Sequence, residues 1–167
     1  MKTLHLMRHA KSSWKHPELS DRYRGLNKRG QRDAPRMGQA LESRMAALTI
    51  HVSPAKRAQL TLAGLRHGWR ALDEASHCTE EALYTFSDES LSDWIQGRSD
   101  AKKELFIIAH NPALTDLVNQ LTGQLTLDNL PTAGYVQLSL EIESWRDLRP
   151  GCGVLEYSLF PRQLRGL

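Results

Sequence analysis

The sequence predicts an α/β fold: a three-layer α/β/α sandwich with a mainly parallel central sheet, built as a single domain over 1–167. Three observations carry that expectation. Strand-like apolar runs alternate along the chain with segments of helical period, the βαβα order that places helices on both faces of a parallel sheet. The run Leu105-Phe106-Ile107-Ile108-Ala109 is apolar at every position, as in a central strand covered on both sides. No repeat, low-complexity tract or Pro/Gly/Ser-rich linker divides the 167 residues, a length of about one domain.

The elements follow in order. Thr3 to Arg8 reads as a first strand running into the polar segment Arg8-His9-Ala10-Lys11-Ser12-Ser13, and Trp14 to Gly25, which has no period, reads as a loop. Asn27 is a helix cap, with Ala34, Met37, Leu41 and Met45 on one face and Pro35 predicting a kink or a later start. Thr49 to Val52 is a short strand. Ser53-Pro54 then resembles a cap followed by proline at the first helical position, which puts Arg57 in the first turn. A strand near His77 to Glu80 and a helix around Leu91 to Gln96 precede the central strand. Beyond His110, Asn111-Pro112 opens a helix with Leu114, Leu117, Val118 and Leu121 on its apolar face, and Gly123 closes it. Tyr135 to Ile142 and Val154 to Phe160 are two further strands at the sheet's edge.

Composition narrows the function. Apolar residues make up 40% and charged residues 25% of the chain, ordinary globular usage that argues against disorder. No apolar run approaches the roughly 20 residues of a membrane span, and charge follows the N-terminus at once, so a cytoplasmic location and no membrane partner are expected. Cys78 and Cys152 lie far apart in sequence with no His or Cys at ligand spacing, so neither a disulfide scaffold nor a metal site is expected. The net charge of +3 favours an anionic ligand without a basic stripe for nucleic acid. No heptad or apolar run speaks for any oligomeric state.

Ligands of such sheets bind beyond the carboxyl ends of the strands. Three predicted strand ends deliver Arg8-His9, Ser53 to Arg57, and His110-Asn111 to that rim, so two histidines and two arginines share it. Guanidinium forks match phosphate oxygens in pairs, and helix starts add N–H donors. An imidazole attacks phosphorus only from a neutral nitrogen, which requires an acceptor, commonly a backbone carbonyl, on its other nitrogen. A second, protonated imidazole offsets charge in the transition state, and a carboxylic acid usually protonates the leaving group. Lys11, Ser12 and Arg24 fit phosphate or partner binding and a solvated loop equally well. His5, His16, His51, His67 and His77 read as structural, and the four tryptophans as packing residues.

The segments Leu6-Met7-Arg8-His9-Ala10-Lys11-Ser12-Ser13-Trp14, Asp21, Arg24-Gly25-Leu26-Asn27-Lys28-Arg29-Gly30, Ser53-Pro54-Ala55-Lys56-Arg57-Ala58, Ile108-Ala109-His110-Asn111-Pro112 and Leu130-Pro131-Thr132 resemble the histidine phosphatase superfamily (branch 1). Within it they are most similar to the small bacterial SixA-type phosphohistidine phosphatases. The resemblance implies a phosphoglycerate-mutase-like fold and a metal-independent enzyme without cofactor. It makes His9 the group that is phosphorylated and then hydrolysed to release inorganic phosphate, with Arg8, Arg57 and His110 lining the phosphate pocket. Relatives with alcohol leaving groups carry an acidic donor after the strand that follows the Arg57-type helix, where Glu80 and Glu81 stand, Glu81 being preferred. The chain lacks long insertions over the pocket, which suits a histidine-phosphorylated protein domain of signalling or phosphotransfer type. A small phosphate ester and a non-catalytic phosphoprotein-binding module are the alternatives. Gly25, where relatives often have proline, and Pro35 depart from the family pattern.

Overall fold

The structure is a computed structural model and describes residues 1–165; residues 166 and 167 of the expected 1–167 unit lie outside the described ones. Six strands form one sheet: β1 (Lys2–Arg8), β2 (Ile50–Val52), β3 (His77–Thr79), β4 (Glu104–Ala109), β5 (Tyr135–Leu140) and β6 (Gly153–Leu159), in the order β3-β2-β4-β1-β5-β6. The first four run parallel. β5 is antiparallel to β1, and β6 to β5. The run at 105–109 is central, between β2 and β1, and the two last strands form one edge, as the sequence predicts.

Side-chain parity along the strands splits the core in two. Leu4, Leu6, Leu105 and Ile107 pack with Leu91, Trp94, Ile95, Leu114, Leu117, Val118 and Leu121, the buried faces of α4 (Asp88–Gln96) and α5 (Ala113–Thr122). Met7, Ile50, Val52, Phe106 and Ile108 pack on the other face with Ala34, Met37, Leu41, Leu62 and Leu65 from α1 (Lys28–Glu42) and α2 (Lys56–Gly68). The two clusters make the three layers. A four-residue helix, α3 (Ala71–Glu74), follows α2.

Helix α1 begins directly after Asn27, whose side chain accepts from Gly30 N–H, and it continues through Pro35. The predicted later start does not occur, because α1 packs closely on α2 over that stretch. A Cβ at Gly68 would lie 2.0 Å from the Pro35 carbonyl, and one at Gly38 2.3 Å from that of Leu65. Helix α2 starts at Lys56 rather than at Pro54, and the Ser53 hydroxyl accepts from both Ala55 N–H and His110 Nε2–H. Gly123 closes α5 in the left-handed conformation, φ 74°, its N–H bonded to the Asn119 and Gln120 carbonyls, the αL stop that favours glycine.

Candidate active site

The carboxyl ends of β1, β2 and β4 open on a cleft of about 220 Å³ lined by Arg8, His9, Lys11, Ser12, Trp14, Asp21, Arg24, Arg57, Phe86, His110, Asn111 and Thr132. The structure thus brings together Arg8, His9, Arg57 and His110, which arrive from four separate segments. The His9 and His110 rings lie 5.2 Å apart, centroid to centroid.

His9 is held in one tautomer. Its Nδ1–H donates to the Ala10 carbonyl at 2.8 Å, and its Nε2 accepts from Arg57 Nε–H at 3.3 Å. A carbonyl can only accept and a guanidinium can only donate, so both partners specify a neutral ring with its lone pair on Nε2. The Ala10 peptide is itself fixed, because its N–H donates to Thr61 Oγ1 and that hydroxyl donates to the Arg57 carbonyl. Behind it, Ala133 N–H donates to the carbonyls of both Arg8 and His9. Ala133 reaches them at φ 58°, a left-handed conformation that costs a non-glycine residue about 1 kcal/mol.

His110 is set in the same way. Arg57 Nη2–H faces its Nδ1 at 3.3 Å, which leaves Nε2–H to donate to Ser53 Oγ at 2.7 Å. Burial, opposed at His9 by the Ala10 carbonyl, together with the nearby Arg57 and Arg8 charges holds both imidazoles down to about 3. Both are therefore neutral in the open cleft at physiological pH.

Arg57, only 2% exposed, joins these groups: besides the two histidines it donates through Nη1 to the Asp21 carbonyl at 2.7 Å and through Nη2 to Asp21 Oδ2 at 2.9 Å. Arg8 donates Nη1 to the Leu130 carbonyl at 3.1 Å, and its buried Nε has no protein partner. That is the disposition of a donor set aimed at an oxyanion. Asn111 secures the opposite wall, with Nδ2 on the Leu130 carbonyl and Oδ1 accepting from Thr115.

Sequence reasoning missed the site's one lining carboxylate. Asp21 accepts from Arg57, from Arg24 at 2.7 Å and from the Tyr84 hydroxyl at 2.6 Å. Although burial opposes it, these donors hold its carboxyl far below the usual carboxylate range. Thr61 was missed in the same sense, and Ser53, expected at the rim as a helix cap, instead accepts from His110. Only the Arg57-x-x-x-Thr61 spacing, one helical turn, pointed to Thr61.

Glu81 requires a correction. It stands in a 3-10 turn (Glu81–Leu83), fully exposed, and pairs with Arg22 at the mouth of a different groove. The Arg22 hydrogen bonds push its carboxyl down, the opposite of what a proton donor at neutral pH needs. Glu80 turns to the sheet edge, 3.9 Å from His51 Nδ1. Parallel pairing also sets Cys78 beside His51. Donor atoms of His51, Cys78 and Glu80 thus lie within 4.8 Å of one another, a proximity that linear spacing conceals.

Residues 4–83 match the model of the histidine phosphatase superfamily, branch 1. It is the superfamily that the motifs around Arg8, His9 and Arg57 resemble. No curated protein matches the chain. Among solved structures, the chain is similar to the Nakamurella multipartitia protein named as phosphohistidine phosphatase SixA, with TM-score 0.79 and 20% identity over 96% of both chains. The Agrobacterium tumefaciens protein of the same name gives 0.77 and 22% over 96% of this chain and 98% of that one. A mycobacterial glucosyl-3-phosphoglycerate phosphatase gives 0.67 and 13% over 94% and 98%. At these identities the likeness is one of fold, and it bears out the phosphoglycerate-mutase-like sandwich. No helix among the described residues is long and apolar enough to cross a membrane.

Proposed function

We propose that the protein is a phosphohistidine phosphatase acting on a histidine-phosphorylated protein domain through a phosphorylated His9. The observation that carries the reading is the His9 tautomer. Its Nε2 lone pair faces the cleft while Nδ1–H is pinned on the Ala10 carbonyl, so the ring is ready to attack and the same carbonyl stabilises the positive charge the ring acquires.

Substrate phosphate entering the cleft draws Arg57 and Arg8 onto its oxygens, which frees His9 Nε2 to attack phosphorus in line. The Nε2–P bond forms as the P–N bond to the substrate imidazole breaks, and that imidazole leaves neutral, keeping the proton already on its other ring nitrogen. His110, neutral while the cleft is open, takes up a proton beside the arriving dianion and donates to an equatorial oxygen. Water then attacks the phosphorylated His9, releasing inorganic phosphate and restoring the neutral ring. The guanidinium and imidazolium groups supply the positive charge that metals supply elsewhere, so the step requires no cofactor.

The small-ester alternative keeps support from neighbours such as the glucosyl-3-phosphoglycerate phosphatase. Against it stands the cleft, where the lining carboxylate, Asp21, is ion-paired and no carboxylic acid among the described residues is poised to protonate an alkoxide. The deciding experiment compares phosphate release from a histidine-phosphorylated protein and from p-nitrophenyl phosphate, with alkaline trapping of the phosphoenzyme. Fast release from the protein with slow ester hydrolysis, both lost in His9→Ala, is the expected result. Fast ester hydrolysis alone moves the assignment to a metabolite phosphatase, and stoichiometric binding without release moves it to a binding module.

A further inference from the structure

Beside the cleft lies a second, larger groove of about 1010 Å³, whose lining includes Trp14, Leu19, Tyr23, Lys15, Lys28, Arg29, Arg32 and Lys56. Trp14 lines both cavities, so the groove continues directly from the phosphate pocket.

Its composition is lopsided. Lys15, Lys28, Arg29, Arg32 and Lys56 are all exposed, and among the described residues no Asp or Glu lines the groove. Two carboxylates of the flanking sequence lie beside cationic or titratable groups already: Glu18 is 3.3 Å from His16, and buried Asp33 is 3.5 Å from Arg29. Among the described residues, Lys15, Lys28, Arg32 and Lys56 have no carboxylate at ion-pair distance. Against a net charge of only +3, this is a local concentration of cations that like-charge repulsion disfavours in a free protein.

Three apolar side chains stand among them, Trp14 at 70% exposure, Tyr23 at 59% and Leu19 at 40%. Trp14 is braced from below, with the Arg24 guanidinium 3.8 Å from its ring centroid. Arg24 is in turn held by Asp21 and Ser12, so the indole is presented by the pocket's own network. The loop is further fixed by the Ser12–Leu26 bridge and by Ser13 N–H on the Gly25 carbonyl. A braced, exposed Trp14 and an exposed Tyr23 within a cationic rim have the composition of a protein-binding hot spot.

We infer that this groove docks the acidic face of the phosphohistidine-bearing protein, so that an acidic protein surface next to the phosphohistidine determines which substrate is accepted. The inference rests on the phosphohistidine phosphatase reading and adds the partner's chemistry to it. A small metabolite reaches only the cleft and leaves the groove empty.

The test uses two histidine-phosphorylated phosphotransfer domains, one acidic around its phosphohistidine and one with those acids changed to Asn and Gln. The enzyme is compared with Lys28→Glu/Arg32→Glu, two exposed positions one turn apart on α1, and with Tyr23→Ala. The double variant is expected to raise KM for the acidic domain roughly tenfold, with p-nitrophenyl phosphate hydrolysis unchanged. It should make little difference on the neutralised domain, and added salt should erase the wild-type preference for the acidic one. An unchanged KM for the acidic domain overturns the docking inference while leaving the phosphatase reading intact. Equal loss on both substrates overturns it as well, since the groove would then act only through the pocket. Competition by an oligonucleotide but not by the unphosphorylated acidic domain assigns the groove to nucleic acid instead. Absence of phosphate release from either domain by wild-type enzyme defeats the phosphatase reading and the docking inference together.

Discussion

Two buried histidines, four residues apart at and beyond β1, show what separates a structural imidazole from the one proposed to react. His5 lies between the Phe106 and Tyr135 rings, centroids 5.6 and 5.9 Å away. Its Nδ1 meets the Tyr135 hydroxyl at 2.6 Å and its Nε2 the Glu104 carboxylate at 2.8 Å. Both nitrogens are engaged by short bonds to groups that no ligand displaces. His9 is as deeply buried, but only its Nδ1 has such a partner. Its Nε2 has a longer bond to a guanidinium that any arriving anion competes for. Burial lowers the basicity of both rings, so a depressed imidazole is common to the two. The difference lies in the second partner, an anion and hydroxyl pair in one case and a cation in the other.

The largest effect expected from breaking this contrast is at His9. His9→Gln should lower turnover of a phosphohistidine protein by about 10⁴-fold or more, as loss of a nucleophile does. His5→Phe should leave the rate nearly unchanged and instead lower the unfolding free energy by about 1–3 kcal/mol, since Glu104 and Tyr135 lose their partner. Single-turnover kinetics and thermal unfolding of the two variants side by side read both arms. Equal losses of rate would show that burial at this end of β1, rather than the ring's partners, is what matters. Next in size is Arg57→Ala, expected to lower kcat by about 10²–10³-fold, the range for removing an oxyanion donor. Smaller again is Thr61→Val. Releasing the Ala10 N–H loosens the carbonyl that fixes the His9 tautomer, and a loss of roughly tenfold in kcat with KM held is the expected pattern.

The His9 side of the comparison was largely legible in the sequence because strand ends follow from apolar periodicity. Arg8, His9, Arg57 and His110 each stand at or just after a predicted strand, and the parallel order predicts that they converge. Even the need for a backbone acceptor on the nucleophile's other nitrogen follows from chemistry alone. Asp21, Tyr84 and the Trp14 platform were not assigned roles in this way, because they lie in loops without a period, whose course is set by long-range hydrogen bonds such as Tyr84 to Asp21. The same holds for Glu81: local order placed an acid after β3, but the 3-10 turn and the attraction of Arg22 decide where it points. Of the two outcomes expected at Pro35, the later start fails because propensity describes an isolated helix, whereas α1 is held against α2 through Gly38, Gly64 and Gly68.

Acid should expose the shared property of the buried rings. With folded values near 3 for His9 and His110 against 6.5 when unfolded, the unfolded chain binds more protons between those limits. The two groups' contribution to stability is therefore fully present above about 6.5 and is lost as pH falls toward 3. His110→Asn should flatten the fall in unfolding temperature between pH 7 and pH 4.5. An oxyanion bound in the cleft reverses the sign for His110, so tungstate binding should be accompanied by proton uptake, readable by calorimetry in buffers of different ionisation enthalpy. Binding without uptake would mean that His110 stays neutral and donates only through Nε2–H.

The smallest expected effect is at Glu81. Its carboxylate is paired with Arg22 outside the cleft and holds no proton at neutral pH, so Glu81→Gln should change kcat/KM for either substrate by no more than about twofold. This near-null result sharpens the contrast, because a phosphohistidine P–N bond leaves without a strong acid, whereas an alkoxide does not. If the substitution spared the phosphohistidine protein but cost an alkyl phosphate, whose alkoxide needs a proton to leave, about tenfold, the turn carrying Glu81 would have to swing over the cleft with bound ester. His9 would then serve a second chemistry whose acid is recruited by the substrate.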